Sequence, residues 1–189
     1  ERRAALKELY PFVKRDIKAT MEAMGGLPVT IRLLDPPLHE FVPQAADKQA
    51  ELAKALGISV DDIKARGEAL HESNPMMGHR GVRLGITYPE VTEMQVRAIL
   101  EAAGELNKAG KKSKPEIMVP VTCDASEVRH QKQIVARIHD EVCAKLGVRQ
   151  IPHLVGTMIE IPRAALLADR MAVEHQRRAV ERGHRARGE

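Results

Sequence analysis

PEVTEMQVRAILEAAGELNKAGKKSKPEIMVPVTCDASEVRHQKQIVARIHDEVCAKL, residues 89–146, reads as helix, strand, helix. Pro89 opens the first helix, where its missing N–H costs nothing. Met94, Ala98 and Leu100 to Ala102 gather on one face, and Gly110 lies just past the end of the pattern at Lys108. Lys111 to Pro115 is a polar loop, and Glu116 to Val121 is an apolar run of strand length. Asp124 or Ser126 caps the second helix, Ser126 to Leu146, which Gly147 ends. A strand flanked by two helices of this length belongs to a parallel sheet, because a tight hairpin cannot join parallel neighbours.

The same alternation extends outward. Leu6, Leu9, Val13, Ile17, Met21 and Met24 recur at helical steps over residues 4–24, and Gly25-Gly26 stops them. Pro28 to Leu34 is rich in β-branched residues and reads as a strand. Residues 47–56 and 60–71 read as two short helices, with an Asn74-Pro75 turn after them. Val82 to Thr87 and Leu154 to Glu160 read as two further strands, and Pro162 opens a last helix that runs toward the end. Four strands with little period-2 alternation predict a parallel α/β sheet covered on both faces. An open doubly wound sheet and a barrel both satisfy that pattern, although a complete barrel needs eight strands and about 250 residues.

Composition removes several function classes. The 189 residues carry 30 Lys and Arg against 26 Asp and Glu, a net charge of +4, too small to imply nucleic acid. Aromatic residues are only 2%, with no Trp, so a base-stacking surface is not expected. No apolar run approaches the ~20 residues that span a bilayer, and no signal-peptide pattern opens the chain. Cys123 and Cys143 are the only cysteines, which predicts no disulfide framework and a reducing, cytoplasmic setting. Gly104 to Lys112 imitates a phosphate loop but has the wrong spacing and lies at a helix C-terminus, where the dipole repels phosphate. His39-Glu40 and His71-Glu72 lack the second His of a zinc helix.

Three places carry charge at candidate strand ends, where parallel α/β folds build their sites. Arg32 lies near the end of the apolar run TIRLLDPPLHEF, residues 30–41. A buried Arg is costly unless it is paired, so Arg32 either pairs with Asp35 or binds an anion. In NPMMGHRGVRLG, residues 74–85, glycines bracket His79-Arg80 and let backbone approach a ligand, although a surface loop with incidental charge fits equally. Met76-Met77 reads as core filling. Glu160, in GTMIEIPR, residues 156–163, ends a strand just before the helix-opening Pro162 and is of the right chemistry for a hard cation, or is merely structural. Two arginines and a carboxylate together suit a small phosphorylated acid with Mg²⁺.

GLPVTIRLLDPPLHEF, NPMMGHRGVRLG, PEIMVP and GTMIEIPRAALLAD together resemble the pyruvate, phosphate dikinase family of phosphoenolpyruvate-utilising enzymes. The resemblance covers roughly residues 1–172, within the barrel domain that binds pyruvate and phosphoenolpyruvate. It implies a partial (β/α)8 TIM-type barrel with parallel strands. It implies an ATP-using parent that interconverts ATP, phosphate and pyruvate with AMP, pyrophosphate and phosphoenolpyruvate through a phosphohistidine on a swivelling domain. Arg32 and Arg80 would then contact phosphoenolpyruvate, and Glu160 would contact it and hold Mg²⁺. A cytoplasmic, homodimeric parent follows, with no nucleic-acid or membrane partner. The barrel of a phosphoenolpyruvate synthase or a phosphotransferase-system first enzyme, or a non-catalytic partial-barrel module, are the alternatives.

Departures from the family pattern are specific. The Gly-Thr-Asn-Asp stretch with the second metal-binding acid is absent, as are the Cys-Gly-Glu-His segment with the proton donor and the phosphohistidine motif. Neither Cys123 nor Cys143 matches the proton donor, so this stretch alone is expected to be inactive. Residues 173–189 form a basic stretch, read as a helical tail that resembles a later barrel helix following an omitted segment.

Overall fold

The computed structural model describes residues 1–37, 42–71 and 78–174. Residues 38–41 of the DPPLHEF stretch, the Asn74-Pro75 turn with Met76-Met77, and the basic tail beyond residue 174 lie outside the described residues. In chain order the elements are α1 (Arg2–Ala23), β1 (Pro28–Arg32), α2 (Ala46–Leu56), α3 (Val60–Leu70), α4 (Val82–Thr87), α5 (Pro89–Lys108), β2 (Lys114–Val119), α6 (Ala125–Leu146), β3 (Leu154–Thr157) and α7 (Pro162–Leu166). Residues 168–174 are helical again. The chain divides into two compact units, Glu1–Asp35 with Gly81–Glu189, and Pro36–Arg80.

In the larger unit the three strands form one sheet in the order β1-β2-β3, and both pairings are parallel. Thr30 pairs with Glu116, Arg32 with Met118, and Met118 with Gly156. The architecture is mixed α/β and mostly helical, with which a partial barrel is consistent. One face of the sheet is covered: Ile117 and Val119 are fully buried with Ile99, Leu100, Val135 and Ile138, and Val29, Ile31 and Val155 pack on the same cluster. Helix α5 is central, packing on α1, α6, α4 and β2. Alternate residues face the other way, and there Pro28, Thr30, Arg32 and Leu154 are exposed. On that face the Thr30 hydroxyl donates to Glu116 Oε2 at 2.7 Å. The expected covering of both faces is therefore corrected: among the described residues only one face is packed, and the period-2 burial of β2 records it.

The helices of residues 4–24, 47–56, 60–71, 89–108 and 126–146 form nearly as read. Asp124 is the N-cap of α6, with Glu127 bonding back in a reciprocal capping box. The strand expected over Val82–Thr87 is instead α4. A six-residue apolar run carries too little periodicity to separate strand from helix, and packing decides. The N–H groups of Gly85 and Tyr88 bond to Gly81 O and Leu84 O, one helical turn back. Gly85 sits against Thr92 and Gln131, where a Cβ would lie 2.6 Å from Thr92 Oγ1. The last strand also ends earlier than expected, at Thr157, leaving Met158 to Glu160 as loop.

The smaller unit pairs α2 with α3. Gly57 ends α2 in a left-handed conformation, and Ser59 and Asp62 form the capping box that starts α3. Among the described residues no helix is long and apolar enough to cross a membrane.

Candidate functional site

The C-terminal ends of the three parallel strands lie side by side, and the loops that leave them carry the charged residues. Arg32 is the last residue of β1 and is exposed. The buried, strand-embedded arginine expected from sequence is thus corrected: its position on the uncovered face keeps the guanidinium in water. Gln95 holds the backbone there, donating to Arg32 O at 3.2 Å and accepting from Leu34 N–H at 2.7 Å.

Glu160 follows β3 by three residues and is exposed. Its Oε1 accepts the Val121 backbone N–H at 2.7 Å. Val121 belongs to the loop after β2, so the carboxylate of one strand-end loop rests on the backbone of the next. That contact is braced. Met158 N–H donates to Val119 O at 3.0 Å, and the Thr157 hydroxyl reaches the same carbonyl at 3.1 Å. The Thr122 and Thr157 hydroxyl oxygens lie 2.5 Å apart, and Thr122 also donates to Met158 O at 3.1 Å. Thr122 is completely buried.

Arg32 and Glu160 leave opposite edges of the sheet, with β2 between them. Arg32 is level with Met118 and Gly156 in the sheet, and Glu160 follows Gly156 by four residues in the loop after β3. Arg80 belongs to the smaller unit; it is half-buried, and its N–H donates to Gly78 O at 3.0 Å. The structure therefore brings Arg32 and Glu160 to one end of one sheet.

Sequence reasoning missed the residues that seat Glu160. Val121, Thr122 and Thr157 carry no charge and no motif, and a backbone donor leaves no mark in a sequence. Cys123 also lies on this loop. Burial raises its pKa, the Glu127 carboxylate raises it further through its charge and a 3.6 Å contact, and Arg83 and Arg163 oppose the shift. The thiol is thus kept protonated, which argues against a reactive thiolate. Replacing Glu127 by Gln keeps a hydrogen-bonding side chain and removes the charge, so the Cys123 pKa falls. Alkylation of Cys123 by iodoacetamide at fixed pH near 8 should then run severalfold faster than in the wild type, with buried Cys143 as the slow internal reference.

The family profile of the PEP-utilising enzyme, PEP-binding domain, matches residues 4–176. The chain belongs to this family. It is similar to the pyruvate, phosphate dikinase of Clostridium symbiosum, 50% identical over 174 residues, which are 92% of this chain and 20% of that protein. The chloroplastic pyruvate, phosphate dikinase of Mesembryanthemum crystallinum is 49% identical over 176 residues, 92% of this chain and 18% of that protein. The pyruvate, phosphate dikinase of Rhizobium meliloti (strain 1021) is 49% identical over 172 residues, 90% of this chain and 19% of that protein. The chain spans about a fifth of the length of these relatives. Within a PEP-binding domain, a strand-end arginine and carboxylate occupy the end of the sheet at which such folds bind ligands.

Proposed function

We propose that the chain is part of a cytoplasmic, homodimeric pyruvate, phosphate dikinase, in the region that binds phosphoenolpyruvate or pyruvate together with Mg²⁺. Residues 1–172 are assigned to a partial (β/α)8 barrel. The single observation that carries this reading is the strand-end pair Arg32 and Glu160 in a chain whose family is PEP-binding.

The chemistry supports it. Phosphoenolpyruvate is a small trianion, and an exposed guanidinium presents the planar donor fork that suits its phosphoryl or carboxylate oxygens. Arg80 is assigned the same role by the family resemblance of its motif alone. Mg²⁺ takes one or two carboxylates and completes its shell with water and substrate oxygens. An exposed carboxylate with one oxygen engaged by a backbone N–H fits as one such ligand. Among the described residues no group of three or more His, Cys, Asp and Glu is arranged to hold a metal. Bound Mg²⁺ would neutralise charge on the phosphoryl and enolate oxygens. Arg32 orients the anion so that a phosphohistidine from another domain of the parent can meet the enolate oxygen in line.

Calorimetric titration of the full-length parent with phosphoenolpyruvate tests the reading. Arg32→Ala should weaken binding about tenfold both with Mg²⁺ and with EDTA, as loss of one charge-assisted contact does. Glu160→Gln should weaken it comparably with Mg²⁺ and leave it unchanged with EDTA. Wild-type affinity in both variants would remove the assignment.

A further inference from the structure

We infer that Val121 is a positioning residue for Glu160: its backbone N–H, aimed by a left-handed turn, fixes Oε1 and reserves Oε2 for the cation. This inference rests on the reading of Glu160 as a Mg²⁺ ligand and adds the device that orients it.

Val121 has φ 62° and is the only non-glycine residue with positive φ among the described residues. For a β-branched side chain that conformation is an outlier, costing about 1–2 kcal/mol. Such strain persists only where the surroundings impose it, and here they do. Pro120 has no N–H to extend the ladder of β2, so Val121 N–H is the first donor beyond the strand. On the next residue, buried Thr122 is tied to Thr157 at the end of β3 and to Met158 of the loop after it. On the far side, Val82 N–H donates to Pro120 O at 3.1 Å. Gly81 makes the close approach possible, because a Cβ there would lie 2.7 Å from Val121 Cγ2 and 2.9 Å from Val121 Cβ.

The bond at the end of this arrangement is made to an exposed carboxylate. Such a group is already solvated, so the bond adds little to stability, whereas ordering the carboxylate rotor is worth much to a ligand ion. Outer-shell donors of this kind are worth about 10–100-fold in metal affinity. A strained backbone that serves an exposed acid is better accounted for by binding than by folding.

An amide-to-ester replacement at Val121, introduced in the full-length parent as the α-hydroxy analogue of valine, removes the N–H and also weakens Pro120 O as the acceptor of Val82 N–H. Mn²⁺ affinity is read from the EPR signal of the free ion with phosphoenolpyruvate present, and phosphoenolpyruvate affinity is read separately in EDTA. The ester should bind Mn²⁺ about tenfold more weakly and phosphoenolpyruvate in EDTA as the wild type does. Val121→Gly keeps the N–H and adopts the left-handed turn freely, so it should retain most of the Mn²⁺ affinity. Thr122→Val, which loosens the brace without touching the donor, is a second variant and should reproduce the Mn²⁺-selective loss. Unchanged Mn²⁺ affinity in the ester, or an equal loss of phosphoenolpyruvate affinity in EDTA, overturns the inference. If Glu160→Gln weakens Mn²⁺ binding while the ester does not, only the positioning role fails. If Glu160→Gln also leaves Mn²⁺ affinity intact, the metal reading itself fails.

Discussion

Gly81→Ala is expected to destabilise the larger unit by about 3 kcal/mol, the sum of a positive-φ penalty and an overpacking penalty. Gly81 has φ 56° and ψ −131°, a region that only glycine occupies with ease. The added methyl group would overlap two side-chain atoms of Val121 and lie 3.0 Å from Pro120 O. The carbonyl is backbone and cannot turn aside, so the loop itself must move. Movement there displaces the N–H that Glu160 Oε1 accepts. The substitution should therefore lower Mn²⁺ affinity as well as stability. Adding Val121→Gly removes both overlapping atoms and should restore part of each loss. Hydrogen exchange of the β2 amides, with Mn²⁺ titration alongside, measures both quantities. Protection equal to wild type in Gly81→Ala would show that the loop yields without cost.

Acid should remove a second large contribution, that of Glu101. This carboxylate is 1% exposed on α5 and bonds Lys14 of α1 at 2.9 Å and Lys145 of α6 at 2.7 Å. It thereby joins the three helices that cover the sheet. Burial alone would raise its pKa, but hydrogen bonds from Lys145 and Lys14 outweigh burial and lower it from 4.5 to about 2. The Tyr10 hydroxyl is buried beside it, with no hydrogen bond of normal geometry, and burial and the Glu101 charge push its pKa far up. Because the folded-state pKa is depressed, the contribution is complete above pH 4.5 and is lost as the pH falls toward 2. Lys145 is largely in water, which screens the pair, and about 2 kcal/mol is the expected size. Glu101→Gln should lower stability by about that amount at pH 7 and flatten the acid limb between pH 4.5 and 2. Other carboxylates, Glu90, Glu105 and Glu141 among them, also have lowered pKa and add to the acid limb. The difference between variant and wild type, by pulse proteolysis across pH, is therefore the quantity to compare. An identical acid limb in both would remove Glu101 from the account.

Most helices were legible because each repeats an apolar face over several turns and carries its own stop signals. Helix α5 has Pro89 at its start and Gly110 beyond its end; α6 has Asp124 and Gly147. The short elements were not legible. Val82 to Thr87 is as apolar as a strand and becomes α4 because Gly85 can lie against Thr92 and Gln131. No local pattern contains that information, since Gln131 is more than forty residues away. The same limit applies to the site. Arg32 and Glu160 were readable as charges at apolar run ends, and as residues of long, specific motifs. That Arg32 is exposed rather than buried follows from which face of β1 the helices cover.

By itself, then, the sequence determined the parallel α/β class, through helix-length connections between apolar runs, and the family, through motifs that span most of the chain. It also marked Arg32, Arg80 and Glu160 as candidates for a chemical role. Tertiary structure alone decided that Arg32 and Glu160 share one end of one sheet, that α4 is a helix, and that Glu160 rests on the N–H of Val121. The physical reason is the same in each case. Periodicity and charge are properties of residues near one another in the chain. A backbone donor meeting a carboxylate 39 positions away is created only when β2 and β3 are packed side by side.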